Sequence, residues 1–150
     1  MIVRRSEQFL SIWYGKARRK PLILRGARQV GKSTLVRRFA ASHNLTLNEI
    51  NLEKHPELDR VFQSLEVKRM VLEIEGLLGR KIERARSLLF LDEIQATPNA
   101  LAALRYFFEE RPELPVIVAG SLLEFTSESV IARDGCVSRT SRPDGKRCDV

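Results

Sequence analysis

Short apolar runs alternate along this chain with segments in which apolar residues recur at helical spacing. The runs "PLILRG", "SLLFLDE" and "LPVIVAGS" each close on charged, polar or small residues. This is the pattern of strands buried on both faces of a parallel sheet. The alternating stretch "NLTLNEINLE" predicts a further strand. The succession of strands and helices therefore predicts an α/β domain with a parallel sheet covered by helices on both sides.

Helical periodicity fills the segments between these strands. It predicts helices over residues 5–19, from the glycine-bearing turn to about Ser42, over 56–66 and 67–85, and in the proline-bracketed "PNALAALRYFFEERP". Trp13 lies on the apolar face of the first helix and is expected in the core. Residues 127–150 hold few large apolar residues and mix turn-formers with charges. We therefore predict one domain over residues 1–126, followed by an irregular or disordered tail over 127–150.

Composition narrows the class of protein. The chain has 150 residues, of which 43% are hydrophobic, as is usual for one globular domain. No run reaches the roughly 18 to 20 apolar residues of a membrane helix, and the start lacks a signal peptide, so we expect a cytoplasmic protein without a membrane partner. The net charge of +7 is dispersed in sequence, which fits solvated helix faces or, as the alternative, a nucleic-acid surface.

The segment "LRGARQVGKSTL", which follows the first apolar run, matches the phosphate-loop pattern G-x-x-x-x-G-K-[ST] at Gly26, Gly31, Lys32 and Ser33. Glycines let the backbone approach a phosphate closely, so that N–H groups and the next helix N-terminus point at the anion. Lys32 is expected to reach the β- and γ-phosphates, and the Ser33 hydroxyl to ligate Mg²⁺. The other residues of the predicted nucleotide site in this segment are Arg28, Gln29, Val30 and Thr34.

Two acids follow the apolar run Leu88 to Leu91. Asp92 is expected at the carboxyl end of this strand, where it can hold Mg²⁺, and Glu93 is a candidate base for the attacking water. In isolation the pair could equally cap a turn, but with a phosphate loop upstream it supplies two roles that phosphoryl transfer requires. Ser121, after "VIVAG", either contacts the γ-phosphate at the same sheet edge or caps the next turn.

These three motifs, "LRGARQVGKSTL", "LLFLDEIQ" and "VIVAGSLLEF", resemble the ATP-binding domain of the uncharacterised bacterial and archaeal AAA-type ATPases that carry a C-terminal domain of unknown function. The resemblance covers roughly residues 5–126. It implies a three-layer, additional-strand P-loop fold in which the "VIVAGS" strand lies between the phosphate-loop strand and the Asp92 strand. It also implies ATP and Mg²⁺ as ligands, with Lys32 and Glu93 as catalytic residues and Ser33 and Asp92 at the metal.

The tail departs from that family, whose chains continue into another strand, further helices and a second domain. We therefore expect a truncated copy in which residues 127–150 come from a shifted reading frame or an unrelated junction. If the final strand is missing, the phosphate-loop strand becomes an exposed, association-prone edge of the sheet.

Two classes of function follow for such a domain. The first is an ATPase, an enzyme in which water attacks the γ-phosphorus. The second is a nucleotide-dependent switch with little turnover, which orders a surface for a protein or DNA partner or for a second copy of the chain. A non-functional truncated product is the remaining alternative, and it predicts no ATP binding.

Overall fold

The computed structural model describes residues 2–25, 31–120 and 136–138, and the side chains of residues 5–25 and 31–120. The strands are β1 (Leu22–Arg25), β2 (Thr46–Asn51), β3 (Ser87–Asp92), β4 (Val116–Gly120) and β5 (Cys136–Ser138). The helices are α1 (Ile2–Tyr14), α2 (Lys32–Ser42), α3 (Leu58–Gln63), α4 (Val67–Leu78) and α5 (Asn99–Glu110). Each predicted strand and each predicted helix is therefore present.

All strands pair in parallel, in the order β2-β3-β4-β1-β5. Strand β4 lies between β1 and β3, with Leu22 opposite Ile117 and Leu89 opposite Val116. This confirms the additional-strand order that the family resemblance implied. Because the strands are parallel, the ends of β1, β3 and β4 that lead to the predicted site all lie at one edge of the sheet.

Helices cover both faces of the sheet over strands β1 to β4. Alternate residues of β3 point to opposite sides, so that Leu88 and Phe90 pack with α1 and α2, whereas Leu89 and Leu91 pack with α3, α4 and α5. The four side chains are fully buried. The apolar run Leu88 to Leu91 thus contributes side chains to the cores on both sides of the sheet. The predicted three-layer arrangement is confirmed.

The core also includes Trp13, as expected, at 3% exposure. Its indole Nε1 donates a hydrogen bond to the Lys20 carbonyl at 2.7 Å, which fixes the connection from α1 to β1. Among the described helices, none is both long enough and apolar enough to cross a membrane.

Two predicted helices were too long. Helix α4 ends at Leu78, not at residue 85, because Gly79 adopts a left-handed conformation with φ of 71° and donates its N–H to the Glu75 carbonyl at 2.9 Å. Helix α1 ends at Tyr14, before the predicted limit of residue 19. In both cases a glycine directly follows the last helical residue, and that signal outweighs the periodicity of charged residues beyond it.

The prediction of an irregular tail is wrong for three of its residues. Cys136–Ser138 forms β5, which pairs with β1 so that Ile23 lies opposite Cys136 and Arg25 opposite Ser138. The outer edge of β1 carries backbone N–H and C=O groups that need partners, and a short extended segment satisfies them. Strand β1 is consequently an interior strand, so the condition for an exposed β1 edge, a missing neighbouring strand, is not met. The domain boundary at residue 126 stays a prediction.

The buried ring of Phe90 gives a test of this packing. We expect Phe90→Ala to lower the free energy of unfolding by about 3–5 kcal/mol, because it leaves a cavity in the core on the α1 and α2 side of the sheet. Leu72→Ala on α4 is the control, since Leu72 is 59% exposed and its truncation should cost less than about 1 kcal/mol. Urea unfolding followed by circular dichroism measures both changes. Similar values for the two variants would contradict the assignment of Phe90 to the core.

Candidate functional site

The phosphate-loop segment leads directly into α2. Gly31 stands at the N-terminus of that helix with φ of 80°, a left-handed conformation that glycine adopts without steric cost, and its carbonyl accepts the Leu35 N–H at 2.9 Å. Apart from Gly31 itself and its chain neighbours, no described atom lies within 4 Å of the position that a Cβ would take on Gly31. Lys32 is the first helical residue. The conformation gives the backbone room beside the helix N-terminus, where the helix dipole favours an anion.

Helix α2 and strand β3 meet through Ser33 and Asp92. The Ser33 Oγ donates a hydrogen bond to Asp92 Oδ2 at 2.8 Å, although the two residues are 59 positions apart in the chain. Asp92 is the last residue of β3, and both residues are partly buried. The two residues predicted to hold Mg²⁺ therefore lie side by side.

Glu93 leaves the strand in an unusual conformation. Its φ of 54° and ψ of 49° are left-handed, and its N–H donates to Asp92 Oδ1 at 2.9 Å. A residue with a Cβ costs about 1–2 kcal/mol in this region, and such conformations cluster at functional sites. The two neighbouring carboxylates have different partners. The Asp92 carboxylate accepts hydrogen bonds from the Ser33 hydroxyl and the Glu93 N–H, whereas the Glu93 carboxylate accepts one from Gln95.

Five of the predicted site residues lie outside the described part of the chain. Gly31, Lys32, Ser33, Thr34, Asp92 and Glu93 are described, with Thr34 exposed on the first turn of α2. The five others are Gly26, Arg28, Gln29, Val30 and Ser121. Their roles stay predictions.

An ion pair that the sequence analysis missed lies one helical turn beyond Ser33. Arg37 donates from Nε and one terminal nitrogen to the two carboxylate oxygens of Glu49 on β2, at 3.0 and 2.7 Å. The hydrogen bonds and charge of Glu49 raise the pKa of Arg37, and Asp92 adds a smaller attraction. The spacing of four residues from Ser33 places Arg37 on the same helix face, which is a signal that the sequence does contain. This ion pair connects α2 to β2, next to the hydrogen bond between Ser33 and Asp92 that connects α2 to β3.

A second missed residue is Gln95, in the 3-10 turn Ile94–Ala96 that follows Glu93. Its side-chain Nε2 donates a hydrogen bond to Glu93 Oε2. Sequence spacing gave no signal for this contact, because residues two positions apart do not face each other in a helix and β3 ends before Glu93. It depends on the left-handed turn at Glu93.

The donor set fits Mg²⁺. The ion prefers oxygen ligands and is usually held by one or two carboxylates or hydroxyls, with the remaining positions taken by phosphate oxygens and water. Ser33 and Asp92 supply one hydroxyl and one carboxylate at adjacent positions. Within the described residues, no group of three or more His, Cys, Asp or Glu side chains is placed to hold a metal ion. Phosphate oxygens and water would therefore complete the coordination of Mg²⁺ at Ser33 and Asp92.

The comparisons with known proteins agree with this architecture. A solved structure of the Aeropyrum pernix ORC1 protein in complex with DNA superposes with a TM-score of 0.53 at 18% identity, which shows similarity of fold. The match covers 91% of this chain and 43% of the other, so this chain spans less than half the length of that structure. A search of curated proteins gave no match. The family described as "AAA domain" matches residues 18–134, which is well over half of the chain and continues past the predicted boundary at residue 126. With that match and this fold, the chain belongs to the AAA domain family, a family of nucleotide-binding ATPase domains.

Proposed function

We propose that this domain binds ATP together with Mg²⁺ and hydrolyses it. The observation that carries the proposal is the 2.8 Å hydrogen bond between Ser33 Oγ and Asp92 Oδ2. It joins the end of the phosphate-loop segment to the end of β3, where parallel-sheet proteins bind their ligands. Both side chains are of the type that Mg²⁺ takes as ligands, and Lys32 begins the helix whose N-terminus faces the same edge.

The side chains divide the chemistry among them. Lys32 offsets the charge on the β- and γ-phosphates, and Ser33 and Asp92 hold Mg²⁺, which when bound neutralises charge on the phosphate oxygens. Glu93 takes a proton from a water molecule as the water oxygen bonds to the γ-phosphorus. The bond from that phosphorus to the bridging oxygen breaks, and ADP leaves with the electron pair. Phosphate and ADP are the products.

Replacement of Lys32 tests nucleotide binding. We expect Lys32→Ala to weaken Mg-ATP binding by roughly 10- to 150-fold, the value of a lost charge-assisted hydrogen bond. Isothermal titration calorimetry measures the change. Lys68→Ala is a matched control, because Lys68 is an exposed lysine in the first turn of α4 and its loss changes the net charge equally. Equal affinities in the two variants, or no binding by the wild-type chain, would contradict the proposed role of Lys32.

Replacement of Glu93 separates an ATPase from a nucleotide switch. We expect Glu93→Gln to lower kcat for phosphate release by about 10²- to 10⁴-fold while ATP affinity stays close to the wild-type value, because a general base acts only as the transition state forms. Glu73→Gln, at an exposed position of α4, is the control and should leave kcat unchanged. Tight binding with negligible phosphate release in the wild-type chain, unchanged by Glu93→Gln, would instead identify a switch.

DNA is a second candidate ligand. The similar ORC1 structure is in complex with DNA, and this chain carries a net charge of +7. If the domain contacts phosphates of a duplex, the logarithm of its affinity should fall linearly with the logarithm of salt concentration, by about 0.9 per neutralised phosphate. Fluorescence anisotropy with labelled duplex DNA, with and without Mg-ATP, measures this slope. Absence of binding at 50 mM salt under both conditions would rule out the DNA proposal and leave the ATPase proposal intact.

A further inference from the structure

Gln95 sits in a turn whose backbone is firmly held. The residues on either side of the Gln95–Ala96 pair, Ile94 and Thr97, are both fully buried. The Ala96 N–H donates to the Glu93 carbonyl at 3.0 Å, and the Thr97 N–H donates to the Ile94 carbonyl at 3.1 Å. Ile94 packs in the core formed with α3, α4 and α5. Core packing therefore sets the position of the Gln95 backbone.

This rigid turn aims the Gln95 amide at Glu93. The left-handed backbone conformation of Glu93 leads from β3 into the 3-10 turn Ile94–Ala96. Within this turn, the Gln95 Nε2 donates a hydrogen bond to Glu93 Oε2. The contact is partly buried, so it competes less with water than an exposed hydrogen bond would. A carboxylate has a second oxygen, Oε1, that can accept a proton while Oε2 is held.

We propose that Gln95 is the positioning residue for Glu93 in ATP hydrolysis, an inference that rests on the function proposed above. The amide fixes the rotation of the carboxylate through Oε2 and leaves Oε1 to accept the proton of the attacking water. Gln95 itself neither gains nor loses a proton in the reaction. Its contribution is to restrict a flexible side chain to the orientation that the reaction needs.

Gln95→Met tests the proposal, because methionine is unbranched and of similar length but cannot donate a hydrogen bond. We expect kcat to fall by about 10- to 100-fold, with ATP affinity from calorimetry unchanged, since misplacing a reacting group by about 1 Å costs up to about 100-fold. Gln63→Met is the matched control, because Gln63 is an exposed glutamine at the last position of α3. In a Glu93→Gln background, Gln95→Met should cause no further loss of kcat. A merely structural role would lower kcat in both backgrounds and would weaken ATP binding as well.

Nuclear magnetic resonance of the nucleotide-free wild-type chain tests the contact without any turnover. An amide bonded to a carboxylate should give a Gln95 side-chain proton resonance downfield of the Gln63 resonance, and Glu93→Leu should abolish that difference. Coincident Gln95 and Gln63 resonances would overturn the proposal, even if Gln95→Met failed to fold.

The kinetic outcomes distinguish this proposal from the function on which it rests. Normal wild-type turnover with kcat unaffected by Gln95→Met would overturn the role of Gln95 alone. Binding of ATP without any wild-type phosphate release would overturn hydrolysis, and the positioning role with it.

Discussion

Parallel pairing of strands buried on both faces is the constraint on which the rest of this domain depends. Parallel strands need a crossover after each strand, so helices are placed on both sides, and strands that run the same way end at the same edge. The order β3-β4-β1 then determines which ends are neighbours. Asp92 at the end of β3 reaches Ser33 on α2 only because the sheet brings residues 59 positions apart to one edge.

The apolar core also sets the geometry of the polar site. Leu89 and Leu91 of β3 and the neighbouring Ile94 pack in the same apolar cluster, on either side of the two acids. Between these anchors the backbone turns left-handed at Glu93. A conformation that costs about 1–2 kcal/mol persists where the surrounding packing determines it. The strain is stored at the residue that the proposed reaction uses as a base.

Electrostatic contacts around α2 are arranged along one helix face. Ser33 contacts Asp92 on β3, and Arg37, one turn later, holds both oxygens of Glu49 on β2. An exposed ion pair contributes little stability by itself. The buried apolar residues of α2 set its orientation over the sheet, and the two-point contact of Arg37 with Glu49 adds to it on the face that carries Ser33.

Local patterns in the sequence predicted most of the fold. Apolar runs predicted the strands, because a strand buried on both faces needs apolar residues at successive positions. The phosphate-loop pattern and the acids Asp92 and Glu93 predicted where β1 and β3 end, because close approach to a phosphate needs glycine and polar residues there. Helix ends were predicted less well. The left-handed Gly79 ends α4, and the charged residues on which the longer helix was predicted lie beyond it. The short strand β5 carried no periodic signal, because three residues are too few to show one.

The sequence by itself determined the fold class and the residue types of the candidate site. Only the tertiary structure decided that β1 lies between β4 and β5, that Arg37 pairs with Glu49, and that Gln95 donates a hydrogen bond to Glu93. The physical reason is that composition and periodicity record what each residue needs locally, namely burial, a turn or a charge partner. Which partner meets that need depends on strand order and backbone direction, and these are fixed only when distant segments pack together.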